Sequence, residues 1–103
     1  MCNIKSIDPQ TAAEWIDSGK AVLIDVRESS EHAQERIAAA ELISLSAFRA
    51  DAVPQDKCVV VHCAGGGRSA QAVAFLQENG HSDVHNLAGG IAGWKLAGLA
   101  TVN

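Results

Sequence analysis

No run of lysine or arginine, no long apolar stretch and no cysteine-rich framework occurs in this sequence, and each absence removes a class of function. Its 8 basic residues are scattered among 12 acidic ones, for a net charge of −4. An electrostatic footprint for nucleic acid or anionic lipid is therefore missing. Apolar runs such as "AVLI" and "CVVV" span only a few residues, far short of the roughly twenty that a membrane span needs. The opening "MCNIKSIDPQ" holds no hydrophobic signal region. These features lead us to expect a cytoplasmic protein with neither nucleic-acid nor membrane partners.

Three cysteines leave at least one unpaired, which points to a reducing compartment rather than a secreted disulfide scaffold. Cys58 and Cys63 are separated by a stretch of strand character, about 16 Å at roughly 3.3 Å per residue, beyond the reach of a disulfide. The histidines, His32, His62, His81 and His85, are scattered. No Cys or His pair has the close double spacing of a zinc motif, so no structural metal is expected.

What remains suits one globular domain over residues 1–103, with 48% hydrophobic and 19% charged residues and enough length to bury a core without disulfides. Linkers, repeats and low-complexity segments are absent. A short edge strand is expected at 4–6. "DPQTAAEWIDSGK" predicts a helix with Asp8 as N-cap, Pro9 at the first position and Gly19 as stop. "AVLIDV" (21–26) is the kind of apolar run that a strand covered on both faces requires. "ELISL" (41–45) is a candidate short strand, and "CVVVH" (58–62), rich in β-branched residues, a central one. From Ser69 to Asn79 the spacing of Ala72, Val73 and Leu76 predicts a helix closed by Gly80; "DVHNL" and "IAGWKLAG" follow as strand and helix. Strands separated by helical segments imply an α/β fold with a parallel sheet between two helical layers. Ligands then bind beyond the carboxyl ends of the strands.

Cys63 sits at such an end, at the mouth of a glycine turn, in "HCAGGGRS" (62–69). Gly65, Gly66 and Gly67 can adopt positive φ and turn backbone N–H groups inward as an anion nest. The following helix N-terminus and Arg68 add positive charge, which favours a Cys63 thiolate. Ser69 can cap the helix or donate to a bound sulfur. Taken singly, a cysteine at a strand end is often an inert core residue and a glycine turn only a tight connection. Together on consecutive positions they point to a nucleophilic site made of Cys63, Ala64, Gly65, Gly66, Gly67, Arg68 and Ser69. Gly65, Gly67 and Ala70 also fit a GxGxxA dinucleotide pattern, but no acidic residue ends a strand about twenty positions later. His62 should point away from the nucleophile by strand alternation. Asp25 and Arg27, on one face of a strand end, are candidates for an ion pair at the pocket rim. Gly89 and Gly90 suit a tight turn beside the loop, and Trp15 and Trp94 suit the core.

Over nearly its whole length the chain resembles a single-domain rhodanese, a sulfurtransferase. "LIDVR" followed by Glu31 is similar to the family's first signature, "HCAGGGRS" to its active-site loop and "NLAGGIAGW" to its closing signature. The resemblance implies a five-stranded parallel sheet with helices on both faces. It further implies that Cys63 takes a sulfur atom as a persulfide from thiosulfate or a similar donor and passes it to cyanide in vitro or to a thiol in the cell, without a cofactor. The departure lies after Glu31. Where the family has an aromatic and then a Gly-His-Ile-Pro-Gly-Ala run, this chain has His32 and then "ERIAAA" (35–40), which is expected to alter the second wall of the pocket. Two other classes share the loop chemistry. A non-catalytic sulfur carrier or regulatory module would keep the same cysteine. A cysteine phosphatase or arsenate reductase would use a similar loop, but there the arginine follows the cysteine by six residues, whereas Arg68 follows Cys63 by five.

Overall fold

The computed structural model describes residues 5–103, so Cys2 and Ile4 lie outside it. Strand β1 (Ser6–Ile7) leads into helix α1 (Pro9–Asp17), β2 (Ala21–Asp25), α2 (Ser29–Gln34), β3 (Ala40–Leu42), β4 (Cys58–His62), α3 (Gly67–Glu78), β5 (Val84–Leu87) and α4 (Gly90–Leu96). Single 3-10 turns at Leu45–Ala47 and Ala50–Ala52 occupy the β3–β4 connection. The five strands pair in parallel in the order β1-β5-β4-β2-β3. The edge strand expected at 4–6 is Ser6–Ile7.

The sheet centre is β4, all five residues of which are buried. Its side chains alternate between two cores. Cys58 and Val60 join Leu23, Leu87, Ala12 of α1, and Ile91 and Trp94 of α4. Val59 and Val61 join Ile24, Val84 and the buried face of α3, Ala72, Val73 and Leu76, with Val53 from the long connection. Helical layers therefore cover both faces, as the near-continuous apolar strands require. Cys63 leaves β4 on the α3 side and belongs to that second core.

Helix α1 begins as its sequence dictates: Asp8 accepts from the Thr11 N–H at 3.0 Å, and Pro9 takes the first turn. Trp15, expected in the core, is half-buried, with its ring edge-on to His85. Helix α2 is not signalled by periodicity, because "SSEHAQ" buries none of its residues. It is fixed at its start instead, where the Glu28 N–H donates to Glu31 Oε1 at 2.9 Å in a capping box.

The Asp25–Arg27 ion pair forms, at 2.8 Å, but it is buried rather than on a rim. Asp25 shares the face of Leu23, opposite that of Cys63, and is 0% exposed; Arg27 is 5% exposed. The Arg27 guanidinium grips both Asp25 oxygens and donates to the Glu35 carbonyl at 2.7 Å. Burial opposes the Asp25 charge, yet its hydrogen bonds with Arg27 and the nearby His62 hold its pKa below the ordinary carboxylate value.

Candidate active site

The site is built where β4 ends and α3 begins. Cys63 is 1% exposed, below the exposed Ala64, Gly65 and Gly67. The turn is made by one glycine of the three expected: Gly66, at φ +114°, is the N-cap of α3, whereas Gly65 and Gly67 do not take positive φ. This brings the Gly66 N–H to 3.0 Å from Cys63 Sγ. Ser69, fully buried on the first turn of α3, sets its Oγ 3.4 Å from the same sulfur. From below, the 89–90 turn supports the loop, with the Ile91 N–H donating to the Cys63 carbonyl at 2.9 Å and the Ala92 N–H to that of Ala64 at 3.2 Å. Gly90 has to be glycine: a Cβ there would lie 2.5 Å from the Cys63 oxygen and 2.6 Å from that of Ala64, at a φ of +61°.

Burial works against ionisation of Cys63, but it is outweighed by hydrogen bonds from the Ser69 hydroxyl and from the backbone N–H groups of Ser69, Gly66 and Gly65. The Cys63 thiol is therefore held below its ordinary pKa. Cys58 at the other end of β4 goes the opposite way, pushed up to about 11 by burial and by the charge of Asp83. Of the two described cysteines, both free, Cys63 is the one whose thiolate is favoured.

Asn86 completes the network. From the end of β5 its side chain donates to the Gly66 carbonyl at 3.2 Å and accepts from the Ser69 hydroxyl. A hydroxyl has one proton, so Ser69 cannot donate to Asn86 and Cys63 at once. With Cys63 as a thiol, the S–H faces Ser69 Oγ and the Ser69 proton faces Asn86; with a thiolate, the Ser69 proton turns to the sulfur. Replacing Ser69 by alanine should raise the Cys63 pKa, shifting the pH profile of iodoacetamide alkylation to higher pH. An unmoved profile would remove Ser69 from thiolate stabilisation.

Arg68 is engaged from the side. Its guanidinium binds the Glu31 carboxylate at 2.7 and 2.9 Å, with the two side chains 35% and 34% exposed. The guanidinium holds Glu31 down at about 2. Arg68 is raised in turn by Glu31, with the Cys63 charge contributing after it. The loop amides and Ser69 thus act on Cys63 more strongly than Arg68 does. His62 faces away from the nucleophile: fully buried, it donates from Nδ1 to the Cys63 carbonyl at 3.1 Å and sets Nε2 3.7 Å from Asp25. Burial keeps its pKa below the ordinary imidazole value against the pull of Asp25.

The model of the rhodanese-like domain family matches residues 8–97. The chain belongs to that family. A sulfurtransferase from Allochromatium vinosum is 35% identical over 102 residues, covering 96% of this chain and 95% of that protein. A thiosulfate sulfurtransferase GlpE from Actinobacillus succinogenes is 34% identical, covering 90% of this chain and 86% of its own length. The probable adenylyltransferase/sulfurtransferase MoeZ of Mycobacterium tuberculosis is 39% identical over 94 residues, but this chain spans only 24% of it. Among solved structures, a rhodanese-related protein from Thermoplasma volcanium superposes with a TM-score of 0.85 at 33% identity, covering 95% of this chain and 97% of that one.

Within this rhodanese frame the altered segment at 35–40 links α2 to β3. The Glu35 carbonyl accepts from Arg27 and its side chain binds Lys95 and Thr101, Arg36 bridges Val102, Ile37 is buried in the core and Ala40 pairs with Leu23. The residue that leans over the loop from the β2–β3 side is Glu31. Glu31, after "LIDVR", and Asn86, the first residue of "NLAGGIAGW", both stand in the signatures that the sequence shares with the family, but their contacts with Arg68 and Ser69 form only in the fold.

Proposed function

We propose that this protein is a sulfurtransferase acting by double displacement through a persulfide on Cys63. The observation that carries the reading is the Gly66 N–H at 3.0 Å from Cys63 Sγ, in a loop that lowers the thiol pKa. The Cys63 thiolate attacks the outer sulfur of thiosulfate, a new S–S bond forms, and the old one breaks with its electron pair leaving on sulfite. Cyanide then attacks the outer sulfur of the persulfide, thiocyanate departs and the thiolate returns. In the cell the acceptor is a thiol, which leaves carrying the sulfur. The N–H groups of Gly65, Gly66 and Ser69, which already face the Cys63 sulfur, and the α3 N-terminus stabilise the persulfide anion. No cofactor takes part, and two free thiols suit a reducing compartment such as the cytoplasm.

Thiocyanate formation from thiosulfate and cyanide, with the parallel double-reciprocal lines of a ping-pong mechanism, tests this reading. Absence of turnover with every sulfane donor would favour a sulfur carrier or regulatory module instead, a reading supported by the deep burial of Cys63 and the prior pairing of Arg68. Aryl phosphates should not be hydrolysed, because the arginine follows the cysteine one position too early for a phosphate loop.

Arg68 is assigned to hold the anionic donor. A charge-assisted hydrogen bond is worth roughly 1.5 to 3 kcal/mol, so Arg68→Ala should lower kcat/KM for thiosulfate by about 10- to 150-fold. Glu31 competes for the same guanidinium. Glu31→Gln should therefore lower KM, by about fivefold at most, since a half-exposed pair contributes up to about 1 kcal/mol. An alanine variant with unchanged kcat/KM would show that Arg68 serves only its pair with Glu31.

A further inference from the structure

We propose that Cys58, Asp83 and His85 form a binding site for a divalent cation of the Zn2+ class at the end of the sheet opposite Cys63. The sulfur of Cys58, a carboxylate oxygen of Asp83 and an imidazole nitrogen of His85 lie within 4.8 Å of one another. Their placement follows from the sheet. Asp83 immediately precedes β5 and His85 is its second residue, two positions on, and their side chains meet, with His85 Nε2 3.0 Å from Asp83 Oδ1. The parallel register Val59↔Val84 and Val60↔His85 sets Cys58, which opens β4, beside them. The Val59 N–H donates to the Asp83 carbonyl at 2.9 Å, which fixes the two strand starts against each other.

The ligand set selects the ion. A thiolate, an imidazole and a carboxylate suit Zn2+ and Co2+, and poorly suit the harder Mg2+ or Ca2+. Bond lengths of about 2.0 to 2.3 Å in a tetrahedron separate ligand atoms by about 3.5 Å. His85 Nε2 and Asp83 Oδ1 are already 3.0 Å apart. Cys58 is 7% exposed and the His85 side chain 14%, so two ligands are held, while the Asp83 side chain, 58% exposed, is free to close on the ion. Three protein ligands leave the fourth position to water on the open side. On coordination the Cys58 thiol proton passes to solvent. The thiolate and carboxylate together offset the ion's charge. Lys5 and Lys20, whose charges reach Cys58, are both exposed and engaged elsewhere, Lys5 Nζ on the Ser82 carbonyl at 3.3 Å and Lys20 Nζ over the Trp15 ring at 4.9 Å.

A search for close Cys or His spacing misses such a site, because its ligands meet through strand pairing rather than through one turn. The inference does not depend on the sulfurtransferase reading, and its test uses no turnover. In the full-length Cys2→Ser/Cys63→Ser variant Cys58 is the one remaining thiol. Co2+ added to this protein should give a near-ultraviolet thiolate-to-cobalt charge-transfer band and visible bands of tetrahedral strength, at one ion per chain, and Zn2+ should displace it. Adding Asp83→Asn or His85→Gln should each weaken Co2+ binding by about tenfold or more. No charge-transfer band in the Cys2→Ser/Cys63→Ser protein would overturn the proposal. So would a band whose affinity is unchanged by both further substitutions, since the ion would then be held by Cys58 alone.

Discussion

Cys63→Ser should abolish thiocyanate formation, lowering kcat/KM on the order of 10^4-fold or more, to the uncatalysed background. A serine is nearly isosteric and can accept the Gly66 N–H that now reaches the sulfur at 3.0 Å, so the fold and the loop should persist. The chemistry should not. An alcohol is far less acidic than a thiol held below its ordinary pKa, and it cannot form the S–S bond that carries the transferred atom. Cys58 offers no substitute, since its thiol is pushed up to about 11 and lies at the other end of the strand. Cys2→Ser is the control and should retain activity. Steady-state assays of both variants, with circular dichroism to establish folding, check this expectation; turnover by folded Cys63→Ser at even a tenth of the normal rate would remove Cys63 as nucleophile.

Arg27→Met should cost about 3 to 5 kcal/mol of stability, the expected cost of removing one partner from a buried ion pair. The variant leaves the Asp25 carboxylate at 0% exposure without its guanidinium, with His62 Nε2 at 3.7 Å as the nearest remaining cationic candidate. The pH dependence has a definite sign. In the unaltered protein the Asp25 pKa is lowered on folding, so its contribution is present above the unfolded value of about 3.9 and is lost as pH falls through the lower folded value. Without Arg27, burial dominates and the Asp25 pKa rises in the folded state. The deficit should then be largest at neutral pH and shrink as pH falls toward the carboxylate range. The double variant Asp25→Leu/Arg27→Met should recover much of the loss. Urea unfolding at pH 7 and at pH 5 measures this, and a deficit under 1 kcal/mol at pH 7 would show that the pair does not hold the sheet end.

Local features were legible in the sequence where their physics is local. The β-branched run at 58–62 reads as a central strand and is one, and Asp8-Pro9 reads as a helix start because the cap and the fixed φ are both properties of adjacent residues. The parallel sheet under two helical layers follows from the alternation of apolar strands with helical stretches, and the family match agrees with it. The six-residue loop from Ala64 to Ser69 is contiguous and so could be picked out as a unit. Features that depend on tertiary contact were hidden. Helix α2 buries no apolar face, so nothing periodic announces it. Glu31 reaches Arg68 across 37 positions, and Asn86 reaches Ser69 across 17. The Asp25–Arg27 pair was visible as a pair, but its burial opposite Cys63 depends on which face of the sheet each helix covers.

Intact-mass spectrometry after incubation with thiosulfate tests the central claim most directly. The unaltered protein should gain the mass of one sulfur atom, in a peptide containing Cys63, and lose it again when cyanide is added, with thiocyanate released in equal amount. A protein that gains no sulfur, or that carries it on Cys2 or Cys58 instead, would contradict the account.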